Sequence, residues 1–209
     1  MSTSTHEPGP AEHPTAADAL AAIDDAQERT VRSLRPSPLG MFAPWGLGYL
    51  IGFGGVWLAA RGVLPDGVVP VLLVVAGVVP VVSTGVTLTR SNRGLAGPSR
   101  RVGTLYGWAW VLGFAALCAI NLRLTALGVP GPTLSLIWSG SGLLVVGLLY
   151  LAGGALWNHV PQYVLGIWTL VTAVATVFVG YPANFLVLAL AGGGGFVVLG
   201  VWMHLAGRR

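Results

Sequence analysis

Residues 68–88 read VVPVLLVVAGVVPVVSTGVTL, a stretch without a single charged side chain. One helix needs about 20 predominantly apolar residues to cross the hydrocarbon core of a bilayer. A membrane-spanning strand would alternate apolar with polar residues, which this stretch does not do, so a transmembrane helix is predicted. Five further stretches are of similar length and likewise lack Arg, Asp and Glu, and they cover residues 42–60, 104–122, 134–154, 162–180 and 184–205.

The composition of the whole chain agrees with this prediction. Of its 209 residues 54% are hydrophobic and 9% are charged, whereas about a quarter of an ordinary soluble domain is charged. This excludes a cytosolic globular enzyme and a disordered protein, and the single cysteine, Cys118, excludes a disulfide scaffold. The predicted fold class is therefore all-α, a polytopic integral membrane protein with six transmembrane helices in the cell (inner) membrane.

The chain divides into three predicted regions. Residues 1–14 are polar and contain three prolines, so a disordered tail is predicted. Residues 15–35 place acids at the start and arginines at the end of a narrow apolar stripe, which predicts a cytoplasmic amphipathic helix. That helix either docks a cytoplasmic protein partner or the membrane surface, or is simply solvated. Residues 41–209 form the six-helix bundle.

The arginines predict how the bundle is oriented. All eleven basic residues are Arg, and nine of them fall on one side of the membrane if the N-terminus is cytoplasmic. Positive charge accumulates on the cytoplasmic side of membrane proteins, so both termini are predicted to be cytoplasmic. Because these arginines sit at the edges of apolar stretches, the bilayer with its anionic lipid is the expected partner rather than nucleic acid. Oligomerization is left open by the sequence.

A weak internal similarity links the first and third spans. Residues 45–55 (WGLGYLIGFGG) align with residues 106–116 (YGWAWVLGFAA). The similarity is typical of three repeated helical hairpins, each turning on the outer side. Glycine-rich, alanine-rich and valine-rich stretches also resemble one another by chance, and both interpretations stand.

No motif for chemistry is found. The chain has no phosphate-binding loop, no His-Glu-x-x-His zinc motif and no nucleophile elbow, and the six stretches contain no acidic side chain. Proton-coupled and cation-coupled carriers place Asp, Glu or His near the membrane midplane, which this chain does not do. No catalytic residue, metal site or cofactor is therefore predicted, and the chain is expected not to be an enzyme.

Two kinds of feature are candidates for a solute path: residues that interrupt a helix and side chains that carry a hydroxyl group. Pro80 frees the backbone carbonyl of Ala76, and a run of four glycines interrupts the sixth stretch near its centre. Small residues and hydroxyls also mediate ordinary helix packing, which is the alternative explanation. The candidate path consists of Pro80, Ser83, Thr84, Ser135, Ser139, Thr169, Thr172, Thr176, Gly192, Gly193, Gly194 and Gly195.

A group of polar residues near the predicted outer ends of the spans forms a candidate mouth, namely Arg61, Asp66, Asn121, Arg123 and Asn184. Together these features favour a non-enzymatic permease or facilitator for a small neutral solute. The alternative function is a membrane scaffold or regulatory subunit that docks its partner through residues 15–35.

Overall fold

The computed structural model describes residue 15 and residues 20–22, 38–91 and 98–206. Within these ranges every regular element is helical: α1 (Pro38–Ala60), α2 (Val69–Ser91), α3 (Pro98–Ala126), α4 (Gly131–Leu156), α5 (Val160–Val179), α6 (Ala183–Val187) and α7 (Gly194–Ala206). A 3-10 turn, Asp66–Val68, precedes α2, and a π-helical segment, Leu188–Gly193, joins α6 to α7. The predicted tail 1–14 and most of the predicted helix 15–35 lie outside the described residues.

Six helical stretches are long and apolar enough to cross a membrane, which gives the chain the architecture of a multi-pass membrane protein. They are Leu39–Ala60, Asp66–Thr87, Arg101–Ala126, Gly131–Leu156, Val160–Val179 and Ala183–Leu205. The last of these, called the sixth span below, contains α6, the π-helical segment and most of α7. The six predicted stretches are confirmed, with ends that differ by a few residues. The side of each terminus and the repeat of hairpins stay predictions.

Glycine turns close three of the loops at one end of the bundle. Gly62 follows α1, Gly128 follows α3 and Gly180 ends α5, and their φ angles are 74°, 79° and 79°. An L side chain is strained in this region, whereas glycine is not. These are the loops in which the sequence shows clusters of Gly and Pro. We call this end of the bundle, with loops 61–65, 127–130 and 180–182, the short-loop end.

The helices differ strongly in how much of their surface they bury. α4 and α5 form the most extensive pair, while α1 packs against α2, the π-helical segment and α7. In the most apolar 18-residue stretch of each span, the share of buried residues is 6% in the second span and 11% in the third, compared with 33% in the fifth. Lipid tails are as apolar as leucine, so the exposed valines and leucines of α2 and α3 are compatible with contact with lipid.

An aromatic cluster fills the core toward the other end of the bundle. Its rings are those of Tyr49, Trp110, Tyr150 and Phe196, together with the buried Phe42. The centroid of Phe196 lies 5.6 Å from that of Tyr49 and 5.8 Å from that of Tyr150, and Trp110 lies 5.5 Å from Tyr150. Such offset and edge-on contacts are the favoured geometries for aromatic pairs, so four spans are joined by one packed group.

Candidate functional site

A cavity of about 480 Å³ lies between the first, third, fourth and sixth spans, and one residue of the second span also lines it. Its volume falls in the range of small-molecule sites, about 300–1,000 Å³. The wall is almost entirely aliphatic and aromatic and carries no charged side chain. It is formed by Tyr49, Phe53 and Val56 of α1, Leu73 of α2, Phe114, Leu117 and Cys118 of α3, Gly131, Leu134, Ser135, Trp138, Ser139, Gly142, Leu143 and Val146 of α4, and Phe185 and Leu188 of the sixth span.

The cavity occupies the half of the bundle next to the short-loop end. Val56, Gly131 and Phe185 lie within a few residues of the three loops, whereas Tyr49, Phe114 and Val146 are the lining residues farthest along their helices from those loops. Beyond that depth the buried rings of the aromatic cluster fill the core. The cavity therefore lies toward one end of the bundle, and aromatic rings lie between it and the other end.

Ser135 and Ser139 are the only serines or threonines in the cavity wall, and both already use their hydroxyl hydrogens. The Ser135 hydroxyl donates to the carbonyl oxygen of Pro132 at 2.7 Å, and the Ser139 hydroxyl donates to that of Ser135 at 2.7 Å. Ser139 also accepts a hydrogen bond of 3.0 Å from Nδ2 of Asn184. Two members of the predicted solute path are thus brought to the cavity, and Asn184 holds one of them from the sixth span.

Two asparagines of the predicted mouth are buried between helices. Asn184 is 0% exposed and Asn121 is 1% exposed. Asn121 donates from Nδ2 to the Leu117 carbonyl at 2.9 Å and to the Ser141 hydroxyl at 3.3 Å. Asn121 of α3 and Asn184 of the sixth span therefore each contact a serine of α4. Among the described residues, Oδ1 of each asparagine finds no hydrogen-bond partner.

The remaining three members of the predicted mouth are exposed near the short-loop end. Arg61, Asp66 and Arg123 are all largely open to the surroundings. The guanidinium carbon of Arg61 lies 5.3 Å from the centroid of Trp57, a cation–π contact. The predicted group of five is therefore divided into three surface residues and two buried ones, and none of the five lines the cavity.

Pro80 lies in the contact between α1 and α2, away from the cavity wall. The carbonyl of Ala76, which Pro80 deprives of its helical partner, faces Gly48 of α1: a Cβ atom placed on Gly48 would lie 2.5 Å from that oxygen. Nearby, Nε1 of Trp45 donates to the Thr84 hydroxyl at 2.9 Å.

Ser83, the next hydroxyl of the same group, also connects the two helices. It donates to the Gly40 carbonyl at 3.3 Å. Pro80, Ser83 and Thr84 of the predicted path thus connect α2 to α1.

The threonines of the predicted path lie inside the bundle and bond to their own helix. Thr169, Thr172 and Thr176 are at most 3% exposed. Their hydroxyls donate to the carbonyls of Leu165, Trp168 and Ala173 at 2.7–2.8 Å. Intrahelical bonds of this kind satisfy a hydroxyl in an apolar interior, and none of the three side chains reaches the cavity wall.

The glycine run starts in the π-helical segment, which contains Gly192 and Gly193, and it makes a close helix contact. A Cβ on Gly193 would lie 2.8 Å from the carbonyl oxygen of Gly46, and one on Gly46 would lie 2.9 Å from that of Gly193. Within the π-helical segment the carbonyl of Ala191 accepts a hydrogen bond of 2.9 Å from Nε1 of Trp168.

The other glycines of the run differ in their surroundings. Gly192 faces Tyr49 and Gly195 faces Trp168, whereas Gly194 has no neighbouring atom within 4 Å of an added Cβ. The run therefore lets α1, α5 and the sixth span approach one another.

The aromatic lining was not identified from the sequence. Tyr49, Phe114, Cys118 and Trp138 line the cavity, yet none of them belongs to the predicted solute path or to the predicted mouth. A signal was present in α1, where Tyr49 and Phe53 are four residues apart and so share a face. Their rings meet edge-on at 5.1 Å. Within the described ranges no three His, Cys, Asp or Glu side chains gather in a group that could hold a metal ion.

Comparison with known proteins returned no relative: no family model, no curated protein and no solved structure matches the chain.

Proposed function

We propose that this chain is a non-enzymatic membrane protein that binds a small, neutral and largely apolar molecule in the cavity at the short-loop end. The observation that carries the proposal is the cavity wall, which combines a volume of about 480 Å³ with aliphatic and aromatic side chains and no charged group. Burying a charge against such a wall would be costly, whereas burying apolar surface contributes about 25 cal/mol per Å².

Facilitated passage is the extension of this proposal that the sequence favours. A molecule bound near Tyr49 would still have to pass the aromatic cluster to reach the other side. Passage would therefore require the rings of Tyr150 and Phe196 to move apart. Binding in the cavity would precede that movement. The alternative function is a membrane scaffold that docks its partner through residues 15–35. Most of these residues lie outside the described ranges.

Binding can be tested with a photoreactive probe. The protein is placed in lipid nanodiscs with a ten-carbon alcohol that carries a diazirine on its chain, and the labelled peptides are identified by mass spectrometry. We expect saturable labelling of α3 and α4 around Phe114 and Trp138, displaced by excess unlabelled decanol. Labelling confined to the exposed valines of α2 and α5, with no displacement, would contradict the proposal.

The orientation is proposed from the arginines. Nine of eleven lie on the side of the N-terminus, and an even number of spans returns the chain to that side, so the short-loop end faces outward. Alkaline phosphatase folds only outside the cytoplasm. We expect it to be active when inserted in loop 61–65 and inactive when fused after Ala206; the reverse pattern would show the opposite orientation.

A further inference from the structure

The hydrogen bonds in the cavity wall distinguish between kinds of neutral ligand. A serine hydroxyl has one hydrogen to donate and two lone pairs that accept. The hydrogens of Ser135 and Ser139 are both given to backbone carbonyls of α4, at 2.7 Å each. At this part of the wall the serines can therefore accept a hydrogen bond from a ligand without losing any contact.

Asn184 reinforces this arrangement. Its Nδ2 atom donates to Ser139 at 3.0 Å, which occupies one lone pair of the hydroxyl and leaves the second one free. The bond comes from a side chain that is completely buried in the sixth span, so the Ser139 oxygen is held between two helices. Asn184 acts here as a positioning residue, and it fixes the direction in which the Ser139 oxygen can accept.

We propose that the ligand is an apolar alcohol, whose hydroxyl donates its hydrogen to the Ser135–Ser139 pair while its hydrocarbon body fills the aromatic part of the cavity. The inference rests on the proposed function and adds a substrate class to it. A ketone or an ether, which can only accept, would have to break the Ser135–Pro132 bond to obtain a hydrogen from Ser135, or the Ser139–Ser135 bond to obtain one from Ser139. A hydrocarbon would leave the accepting oxygens unused.

Two competitors of the photoreactive probe, decanol and decyl methyl ether, are compared in nanodiscs at the same mole fraction in the bilayer. These molecules share the chain and differ in the donated hydrogen. One additional hydrogen bond corresponds to a preference for decanol of about three- to tenfold.

Alanine variants show which serines cause the preference for decanol over the ether. In Ser135→Ala and Ser139→Ala we expect the ratio of decanol to ether competition to fall toward one. The matched control is Ser141→Ala on the same helix, which also bonds to its own helix but contacts Asn121 and not the cavity, and it should keep the ratio. The ratio is compared only among variants that still show saturable labelling by the probe, so an unfolded variant is not counted as a loss of preference.

Each outcome has a distinct meaning. A preference for decanol that is lost in the two cavity variants alone would support the inference. Equal competition by decanol and the ether would overturn it and leave the proposed function standing, since burial of the hydrocarbon chain that both compounds share would then account for binding. Failure of both compounds to compete in the wild-type protein would overturn the proposed function itself.

Discussion

Replacement of Gly193 by alanine is expected to destabilise the bundle strongly. The added Cβ would lie 2.8 Å from the carbonyl oxygen of Gly46 and 3.1 Å from the backbone nitrogen of Leu50. Backbone atoms cannot rotate away as a side chain can, so α1 and the sixth span would have to separate. Overpacking of this kind costs about 1–3 kcal/mol, which is roughly a five- to 150-fold change in the folded-to-unfolded ratio.

The same replacement one residue further along the chain is the matched control. An alanine Cβ at Gly194 meets no atom within 4 Å, and the residue begins α7 with helical dihedral angles. Alanine is favoured over glycine in a helix by about 1 kcal/mol, so Gly194→Ala should preserve or raise stability. Both variants are compared by thermal unfolding in detergent. Equal midpoints for the two variants would show that the contact between Gly46 and Gly193 does not hold the spans together.

Filling the cavity is expected to abolish ligand binding without unfolding the protein. Gly142 lines the cavity, and an added Cβ there has no atom within 4 Å. A phenylalanine at this position therefore has room to enter the space that the ligand would occupy, and we expect probe binding to fall at least about tenfold. Gly107→Phe is the control, because Gly107 of α3 also faces open space but does not line the cavity.

The spans and their turns could be predicted from the sequence because both depend on local properties. An apolar stretch of span length must satisfy its backbone within a helix when it lies in lipid. The loops around Gly62, Gly128 and Gly180 were recognisable because glycine adopts the required backbone conformation without strain.

The candidate site could be predicted only in part, since it depends on which helix faces meet. Ser135 and Ser139 are four residues apart and so share one face of their helix, and the structure brings both to the cavity. Asn121 and Asn184 lie near the ends of spans and were placed at a mouth, yet rotation of their helices buries them. The cavity itself is a gap between spans, and no single stretch of sequence encodes it.

The reaction of Cys118 with a small neutral maleimide, with and without decanol, measures directly whether a ligand occupies the cavity. Cys118 is the only cysteine of the chain and it lines the cavity. We predict that decanol slows the modification of Cys118 at least about tenfold in the wild-type protein. In Gly142→Phe the rate should no longer depend on decanol. In the double variant Cys118→Ser, Ala119→Cys, whose cysteine replaces an exposed alanine, decanol should give no protection. Equal rates with and without decanol in the wild-type protein would show that the cavity is not a binding site.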